Sequence, residues 1–352
     1  MACDNVTNRS VDENLVMTPD EKLHQQVSIV VYGYALPCVC ICGIIGNTLN
    51  LIILTRRKLR KSIRSLEQSA NMCLISLALA DLMCCLFAFP TMFLTGKRFY
   101  PERGFLLYYE MCSAAIISAV IMVSTWITVT MAIERYLAIC HPLSSGFLLT
   151  PYRTKVVLVN VYVLSAVFNI PVLWRYQIRE NLCENATFFS VEQVLVGGNT
   201  TTENFYRSLW AAVGNFIPLI LLLYCNVCLC RKIHKSYKLR KKFQVDYNKS
   251  PNDTGNTLTV ILIVIVLMFF TLVAPSEIVK QITHATHNED NFKYLTIEVI
   301  TNFMQSLNFA GNFVMYIILS PYFRRVLKQM FCTFNFSKGN NMELKSYVSS
   351  YV

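Results

Sequence analysis

Few residues of this chain have a type and spacing that could support chemistry. Asp81 is the only Asp, Glu, Lys or Arg inside seven long apolar segments of the 352-residue sequence. A carboxylate in such surroundings is costly unless it is protonated, paired or bound to a cation, so Asp81 is a candidate functional residue. Catalysis would need a second buried acid or a histidine cluster, but all five histidines lie outside the apolar segments. The sequence therefore predicts no enzyme active site.

The cysteines do not predict a metal centre. Cys225 and Cys228 form an isolated Cys-x-x-Cys, without the second pair or the histidines that a zinc site needs. Most of the 14 cysteines lie inside the apolar segments, where we expect them to pack as small apolar side chains.

The composition excludes an ordinary soluble domain. Hydrophobic residues make up 54% of the chain and charged residues only 15%, and the mean hydropathy is +0.42. The net charge is +11, but the Lys and Arg residues lie between apolar segments rather than in a soluble basic domain. We therefore expect a membrane protein that does not bind nucleic acid.

The apolar segments have the length of transmembrane helices. A bilayer is crossed by about 20 helical residues, and its core offers the backbone no hydrogen-bond partners. Seven segments meet this condition: residues 29–54, 69–94, 111–133, 156–174, 208–230, 254–276 and 299–321. The sequence thus predicts an all-α membrane protein with a bundle of seven transmembrane helices.

Basic residues set the orientation of this bundle. The first connection carries six Lys and Arg residues within 56–64, and the third inner connection carries eight within 231–249. By the positive-inside rule both connections are cytoplasmic, which places the N-terminus outside. The opening 27 residues lean acidic and lack an apolar signal core, so the first helix is expected to target the chain to the membrane.

The predicted outer side also carries the glycosylation acceptors. Asn-x-Ser/Thr triplets begin at Asn5, Asn8, Asn185 and Asn199, in the tail and the second outer loop. We expect a multi-pass protein of the plasma membrane. Its parts would be an extracellular tail at residues 1–28, the bundle at 29–320, an amphipathic helix at 321–333 and a cytoplasmic tail at 334–352.

The C-terminal region predicts two further contacts. Residues 322–331 repeat apolar pairs with basic residues between them, which suits a helix lying on the lipids of the inner leaflet. Cys332 follows as either a palmitoylation site or a free cysteine. The chain ends in Ser350, Tyr351 and Val352, which is a pattern that PDZ scaffold domains accept and that an unstructured tail would also show.

Polar and proline residues within the predicted spans form a series of motifs in a fixed order. They are Gly46-Asn47-Thr48-Leu49-Asn50, Leu77-Ala78-Leu79-Ala80-Asp81-Leu82, Glu134-Arg135-Tyr136, Cys140-His141-Pro142-Leu143, Pro218, Pro275, Asn308 and Asn312-Phe313-Val314-Met315-Tyr316. In this joint order, the chain resembles the rhodopsin-like (class A) family of G-protein-coupled receptors over residues 29–332. The resemblance implies a receptor that couples to a heterotrimeric G protein and is not an enzyme.

Two features narrow the resemblance: Asn169-Ile170-Pro171 in the fourth predicted span, and Phe313, which replaces a seventh-helix proline. By these features the chain is most similar, within that family, to invertebrate FMRFamide-type and related neuropeptide receptors. This similarity implies an extracellular peptide as the ligand. Val273 stands where the family usually has a sixth-helix tryptophan, so the family's usual toggle switch is in doubt.

The resemblance implies a sodium pocket around Asp81. Ser124, Asn308 and Asn312 occupy the matching positions and would supply oxygen ligands. The alternative is a neutral, protonated Asp81 in a polar packing network. No other cofactor is expected.

The resemblance also implies a switch at the cytoplasmic end. Glu134, Arg135 and Tyr136 would act there together with Asn312 and Tyr316, and Arg135 would leave Glu134 to meet the G protein. A snorkelling Arg135 that marks the membrane edge is the alternative. On the outer side, the family's disulfide would join Cys112 and Cys183.

The pocket residues separate classes of ligand. Ile117 stands where amine receptors have an aspartate, and Ser306 stands where opsins have the Schiff-base lysine. Acids in the outer half of the bundle could instead pair with a basic group of a peptide. The predicted ligand-binding residues are Glu277, Glu298, Glu110, Ile117 and Gln305, and the three acids could equally be solvated helix-end residues.

Two other functions fit parts of this pattern. A chemosensory receptor for small molecules would share nearly every backbone motif. A membrane transporter is less favoured, because the sequence has no internal repeat and only one charge at mid-depth.

Overall fold

Long helices dominate the computed structural model, which describes residues 17–55, 65–94, 99–183, 186–242, 253–286, 291–319 and 323–328. We number the long helices of these segments from the first to the seventh. The first four are Pro19–Leu54, Ser65–Thr91, Phe105–Cys140 and Pro151–Phe168. The fifth consists of three consecutive helical parts, Thr200–Ala211, Ala212–Phe216 and Ile217–Lys242. The sixth and seventh are Asp253–Ala285 and Phe292–Leu319.

Four predicted spans, 29–54, 111–133, 208–230 and 254–276, lie within these helices. Spans 69–94 and 156–174 run three and six residues past Thr91 and Phe168, the latter into a 3-10 helical segment at Ile170–Arg175, and span 299–321 runs two residues past Leu319.

The seven helices form a closed bundle. The second helix packs on the first, third and fourth, the third also packs on the fourth and fifth, and the fifth, sixth and seventh lead back to the first. Among the described residues, the first five helices are long and apolar enough to cross a membrane. The seventh carries buried polar residues, such as Asn308 and Asn312, that face the bundle. The predicted fold class is therefore confirmed.

The first helix begins ten residues before the predicted membrane span. Thr18 caps it by accepting the Glu21 N–H through Oγ1 at 3.3 Å, and Pro19 occupies the first turn, where its missing N–H costs nothing. A π-helical turn at Val31–Ala35 lies within this helix. At its start this helix packs beside the seventh, and the Lys293 ammonium lies 3.6 Å from the Asp20 carboxylate. This end of the bundle, which the sequence predicts to be extracellular, is called the outer end, and the opposite end is called the inner end.

A β-hairpin that the sequence analysis did not predict follows the fourth helix. Strands β1 (Tyr176–Cys183) and β2 (Ala186–Gln193) pair antiparallel, from Tyr176 opposite Gln193 to Cys183 opposite Ala186. Phe189 in β2 also exchanges two backbone hydrogen bonds with Tyr100, at 2.7 and 2.8 Å. The hairpin packs on the third helix and so helps to position the outer ends of the bundle.

The inner end carries two short helical segments. Pro142–Leu148 forms a helix directly after the third helix. Residues 323–328 are helical and are the described part of the predicted amphipathic helix. Phe323 is buried there, with its ring stacked on that of Tyr316 at 5.6 Å. This contact ties the segment to the end of the seventh helix.

Candidate functional site

A cavity of about 400 Å³ lies between the outer ends of the third to seventh helices. The segment after the fourth helix and the fifth helix supply Arg175 and Arg207, the sixth supplies Glu277 and Lys280, and the seventh supplies Glu298. The cavity thus brings together five charged side chains from four separate parts of the sequence. Its size is that of a small-ligand pocket.

Glu277 lies in the cavity wall as part of an internal ion pair. Its carboxylate is 1% exposed and accepts hydrogen bonds from the Asn215 amide at 2.5 Å and the Gln305 amide at 3.2 Å. The Lys280 ammonium, one turn further along the sixth helix, lies 3.2 Å from the same carboxylate. The charge of Glu277 is therefore balanced by the protein itself. A cationic ligand group would have to compete with Lys280.

The other predicted pocket acids lie in different surroundings. Glu298 lines the same cavity, is half-buried, and has no hydrogen bond or ion pair through its carboxylate within the described segments. Glu110, near the outer end of the third helix, accepts a hydrogen bond from the Tyr100 hydroxyl at 2.6 Å. Of the three acids, Glu298 is the one whose charge has no partner in the described structure.

Ile117 and Gln305 line a second cavity of about 220 Å³ beside the first. Lys280 lines both cavities, and its ammonium lies 3.3 Å from the Gln305 carbonyl oxygen. Ser306 also lines the second cavity. The five predicted ligand-binding residues therefore divide between two adjoining cavities and the outer rim of the bundle, and their contact with a ligand stays a prediction.

The sequence analysis missed an ionic cluster around Glu203, whose partners Arg175 and Arg207 line the same cavity as Glu298. Glu203 is 4% exposed and accepts hydrogen bonds from Arg175 Nη2 at 2.7 Å, Arg207 Nε at 2.7 Å and the Val196 N–H at 3.0 Å. Only the spacing of Glu203 and Arg207, four residues apart on one helix, was visible in the sequence. Arg175 joins them because the hairpin returns the chain to this point.

Asp81 lies at the centre of a buried polar network. The Ser124 hydroxyl donates to Oδ1 at 2.7 Å, and the Asn312 amide donates to Oδ2 at 2.5 Å. Asn308 is also buried, at 4% exposure. The Asn312 carbonyl oxygen is buried and has no hydrogen-bond partner in the described residues. A free buried oxygen beside a carboxylate and a hydroxyl fits the all-oxygen ligand set of a hard cation such as sodium.

Glu134 and Arg135 are both buried at the inner end of the third helix. The Glu134 carboxylate accepts hydrogen bonds from the Thr154 hydroxyl at 2.7 Å and the Cys73 thiol at 3.5 Å. These contacts hold Glu134 to the second and fourth helices, which the sequence analysis did not predict. The Tyr136 hydroxyl lies 3.1 Å from His141 Nε2. The switch role of these residues stays a prediction.

The other predicted sites are described only in part. Cys112 carries a free thiol in the structure, and Cys183 is described in its backbone alone, so the disulfide stays a prediction. Asn199 is exposed and caps the fifth helix by accepting the Thr202 N–H at 2.7 Å. The remaining predicted modification and scaffold sites, Asn5, Asn8, Asn185, Cys332 and residues 350–352, lie outside the described residues.

Long apolar helices, a charged cavity at one end of the bundle and a buried polar network inside it define an α-helical membrane protein with a ligand-sized cavity. Comparison with known proteins identifies the family. The family described as 7 transmembrane receptor (rhodopsin family) matches residues 46–316. This chain therefore belongs to the rhodopsin family of seven-transmembrane receptors.

Relatives of this chain come from invertebrates among others. A Caenorhabditis elegans protein named as a probable G-protein coupled receptor is 25% identical over 330 residues, which cover 92% of this chain and 74% of that protein. The Drosophila melanogaster FMRFamide receptor is 24% identical, over 88% of this chain and 55% of the receptor. The Drosophila melanogaster sex peptide receptor is 23% identical, over 87% of this chain and 73% of the receptor.

Proposed function

We propose that this chain is a cell-surface receptor that binds an extracellular peptide in the outer cavity and activates a heterotrimeric G protein. The observation that carries this proposal is the ionic lining of the cavity, where Arg175, Arg207, Lys280, Glu277 and Glu298 meet. A peptide offers charged groups of both signs and many hydrogen-bond partners, which such walls can recognise. The names of the FMRFamide and sex peptide receptors support the same class of ligand.

Two residues argue against other ligand classes. Ile117, which lines the second cavity, has no charge with which to hold an amine, and Ser306 cannot form a Schiff base with retinal. A small odorant without charges would offer no counter-charge to Glu298, whose carboxylate has no partner in the described structure. The cavity wall therefore favours a polar ligand that carries a basic group.

Binding is expected to act through two populations of the bundle. A ligand that contacts the fifth, sixth and seventh helices can favour one arrangement of their inner ends over another. Arg135 lies at the inner end of the third helix, next to Glu134, which Thr154 and Cys73 hold. In the favoured arrangement Arg135 would contact the G protein.

Sodium is the cation that we propose for the polar network. Asp81, Ser124 and Asn312 would bind the ion. Asn308, one turn before Asn312 in the seventh helix, would be a fourth ligand. The ion would compensate the buried carboxylate and so stabilise one arrangement of the bundle. A protonated Asp81 is the competing state.

The two termini of the chain would lie on opposite sides of the membrane. The N-terminus would lie outside the plasma membrane, with glycans on the outer acceptors. The C-terminal Val352 and its carboxylate would bind a PDZ scaffold, because such domains add an extended peptide to a sheet edge and hold its terminal carboxylate. Extending the chain by one glycine would abolish that contact and leave G-protein activation intact.

A peptide screen tests the receptor function directly. Cells that express the chain are exposed to synthetic neuropeptides, in amidated and free-acid forms, and intracellular calcium and cyclic AMP are measured. We expect a response to at least one peptide that untransfected cells do not show. If peptides give no response and small uncharged odorants do, the chemosensory alternative holds instead.

A further inference from the structure

One amide side chain of the fourth helix faces away from the bundle. Asn160 lies within the predicted span 156–174, yet its side chain is exposed. Every other Asn, Asp or Gln side chain that the structure describes in the predicted spans is buried or half-buried, so the bundle shields it from lipid. Asn160 is therefore the exception among the amide and carboxylate groups of these spans.

The Asn160 amide is only partly satisfied by its own helix. Its nitrogen donates to the Val156 carbonyl oxygen at 2.9 Å. Neither its second N–H nor its Oδ1 has a partner in the part of the chain that the structure describes. Hydrocarbon offers no hydrogen bonds, so these groups carry a free-energy cost that a polar partner within the membrane would remove.

Asn160 belongs to a stripe of exposed side chains that are otherwise β-branched. Val156, Asn160, Val163 and Val167 follow one another at intervals of four, three and four residues, which places them on one face of the helix. The three valines are 43%, 54% and 56% exposed. The helix packs on the second and third helices through the opposite face, which carries its buried residues. The spacing of the stripe is that of a seam between two parallel helices, and β-branched side chains lose little rotamer freedom there.

A second copy of the chain has the group that Asn160 lacks. All copies have the same orientation in a membrane, so a two-fold axis along the membrane normal places equal residues at equal depth. Residue 160 of one copy then faces residue 160 of the other. An Asn side chain carries both N–H donors and an acceptor oxygen, so two of them can bond to each other reciprocally. An unrelated membrane protein would need its own polar group at this depth.

We propose that this receptor self-associates through the fourth helix, with hydrogen bonds between the Asn160 side chains of two copies. The valines of the stripe supply close packing, and the amides fix which residues face each other, as one polar pair does in an apolar seam. Arg153 continues the stripe toward the inner end. Its Nη1 donates to the Phe147 carbonyl oxygen at 3.0 Å, and its guanidinium carbon lies 4.2 Å from the centre of the Phe147 ring. The Arg153 charge therefore has contacts within its own copy.

Energy transfer between purified receptors tests the contact without a ligand, a G protein or a scaffold. Full-length receptors that carry a donor or an acceptor dye are reconstituted together in phosphatidylcholine vesicles at increasing receptor-to-lipid ratios. We expect transfer to rise and saturate, as for a dimer. Asn160→Leu should raise the apparent dissociation constant about three- to tenfold, which is the range of one interhelical hydrogen bond in a membrane.

Two further variants assign this effect to the amide. Asn160→Gln keeps an amide at the same place, so it should associate more tightly than Asn160→Leu. Thr271→Val is the matched control, because Thr271 is exposed on the sixth helix and its hydroxyl bonds only to carbonyl groups of that helix. Its dissociation constant should equal that of the wild type.

Photo-cross-linking then locates the contact. Benzoylphenylalanine is placed at position 163 in the stripe or, as a control, at position 45, where Ile45 is 56% exposed on the first helix. We expect illumination to give covalent dimers from position 163 and not from position 45. Receptors that stay monomeric at every density, an unchanged dissociation constant in Asn160→Leu, or dimers from position 45 alone would each overturn the proposal. The proposed receptor function does not depend on this contact and would stand.

Discussion

The buried carboxylates at the outer cavity each have several hydrogen-bond and ion-pair partners. Glu277 has Lys280, Asn215 and Gln305 as partners, and Glu203 has two arginines. A buried carboxylate with a cation and two amide donors is nearly saturated, so removing any one member affects the others. Substitutions in this wall therefore change stability and ligand binding together.

A double-mutant cycle separates these effects at Glu277. Glu277→Gln leaves Lys280 without its counter-charge, and we expect a loss of roughly 1 to 3 kcal/mol in stability, less than for a fully buried pair because Lys280 is partly exposed. Glu277→Gln combined with Lys280→Gln should recover most of that loss. Thermal unfolding of the purified receptor and agonist potency are measured on all variants.

Asp20→Asn is the control for this cycle. Asp20 pairs with Lys293 on the exposed outer surface, so its loss should leave both quantities nearly unchanged. Agonist potency that stays weak in the double variant, after stability has recovered, would mean that the Glu277–Lys280 pair contributes to ligand binding directly.

The sequence could indicate these residues one by one but not their partners. Asp81 stood out because it is the only charge in an apolar segment, and the structure gives it the predicted neighbours Ser124 and Asn312. Lys280 is three residues from Glu277, yet the pairing depends on which way both side chains turn. Arg175 meets Glu203 only through the fold of the hairpin between them.

Close approach of the first and seventh helices is a constraint at the scale of elements. A Cβ atom added at Gly46 would lie 2.8 Å from the Cβ of Phe313. Asn47, next to Gly46, donates to the backbone carbonyl of Phe309 at 2.8 Å and so fixes the same contact. The two helices can keep this spacing only if residue 46 has no side chain.

Gly46→Ala is therefore expected to destabilise the bundle. Overpacking at a tight contact costs about 1 to 3 kcal/mol, because backbone or side chains have to shift. Thermal unfolding of the purified receptor measures the loss. Gly33→Ala is the matched control in the same helix, since a Cβ at Gly33 would have no atom of another residue within 4 Å.

A Gly46→Ala receptor that unfolds at the same temperature as the wild type would show that the first and seventh helices can move apart without cost. In that case the hydrogen bond from Asn47 to Phe309 would not fix the spacing of the two helices.

The helices could be predicted from the sequence, whereas the hairpin could not. Each span is a long apolar segment, and a bilayer forces such a segment to be helical, so local sequence decides the outcome. The hairpin lies in the loop of residues 176–193, where neither strict alternation nor a glycine turn marks the strands. Its pairing is completed by the Tyr100 backbone, which is distant in the sequence.

In the whole molecule, the polar network of Asp81 connects three helices of the bundle. Asp81 in the second helix contacts Ser124 in the third and Asn312 in the seventh. A cation bound there would favour one arrangement of these helices, and linkage then requires it to change the affinity for an agonist that favours the other.

Sodium should therefore weaken agonist binding. We expect agonist affinity to fall as sodium replaces choline at constant ionic strength, and Asp81→Asn to remove this dependence. Radioligand competition on membranes measures both. Agonist affinity that does not respond to sodium in the wild type would favour a protonated Asp81 in place of the ion.

Arg135 is the residue at which transmission from the ligand to the G protein can be measured most directly. Arg135→Ala is expressed beside the wild type, and surface level, agonist binding and G-protein activation are measured in the same cells. We expect the variant to reach the surface and bind agonist but to activate no G protein, because it lacks the side chain that we propose contacts the G protein. Full activation by Arg135→Ala would contradict this mechanism.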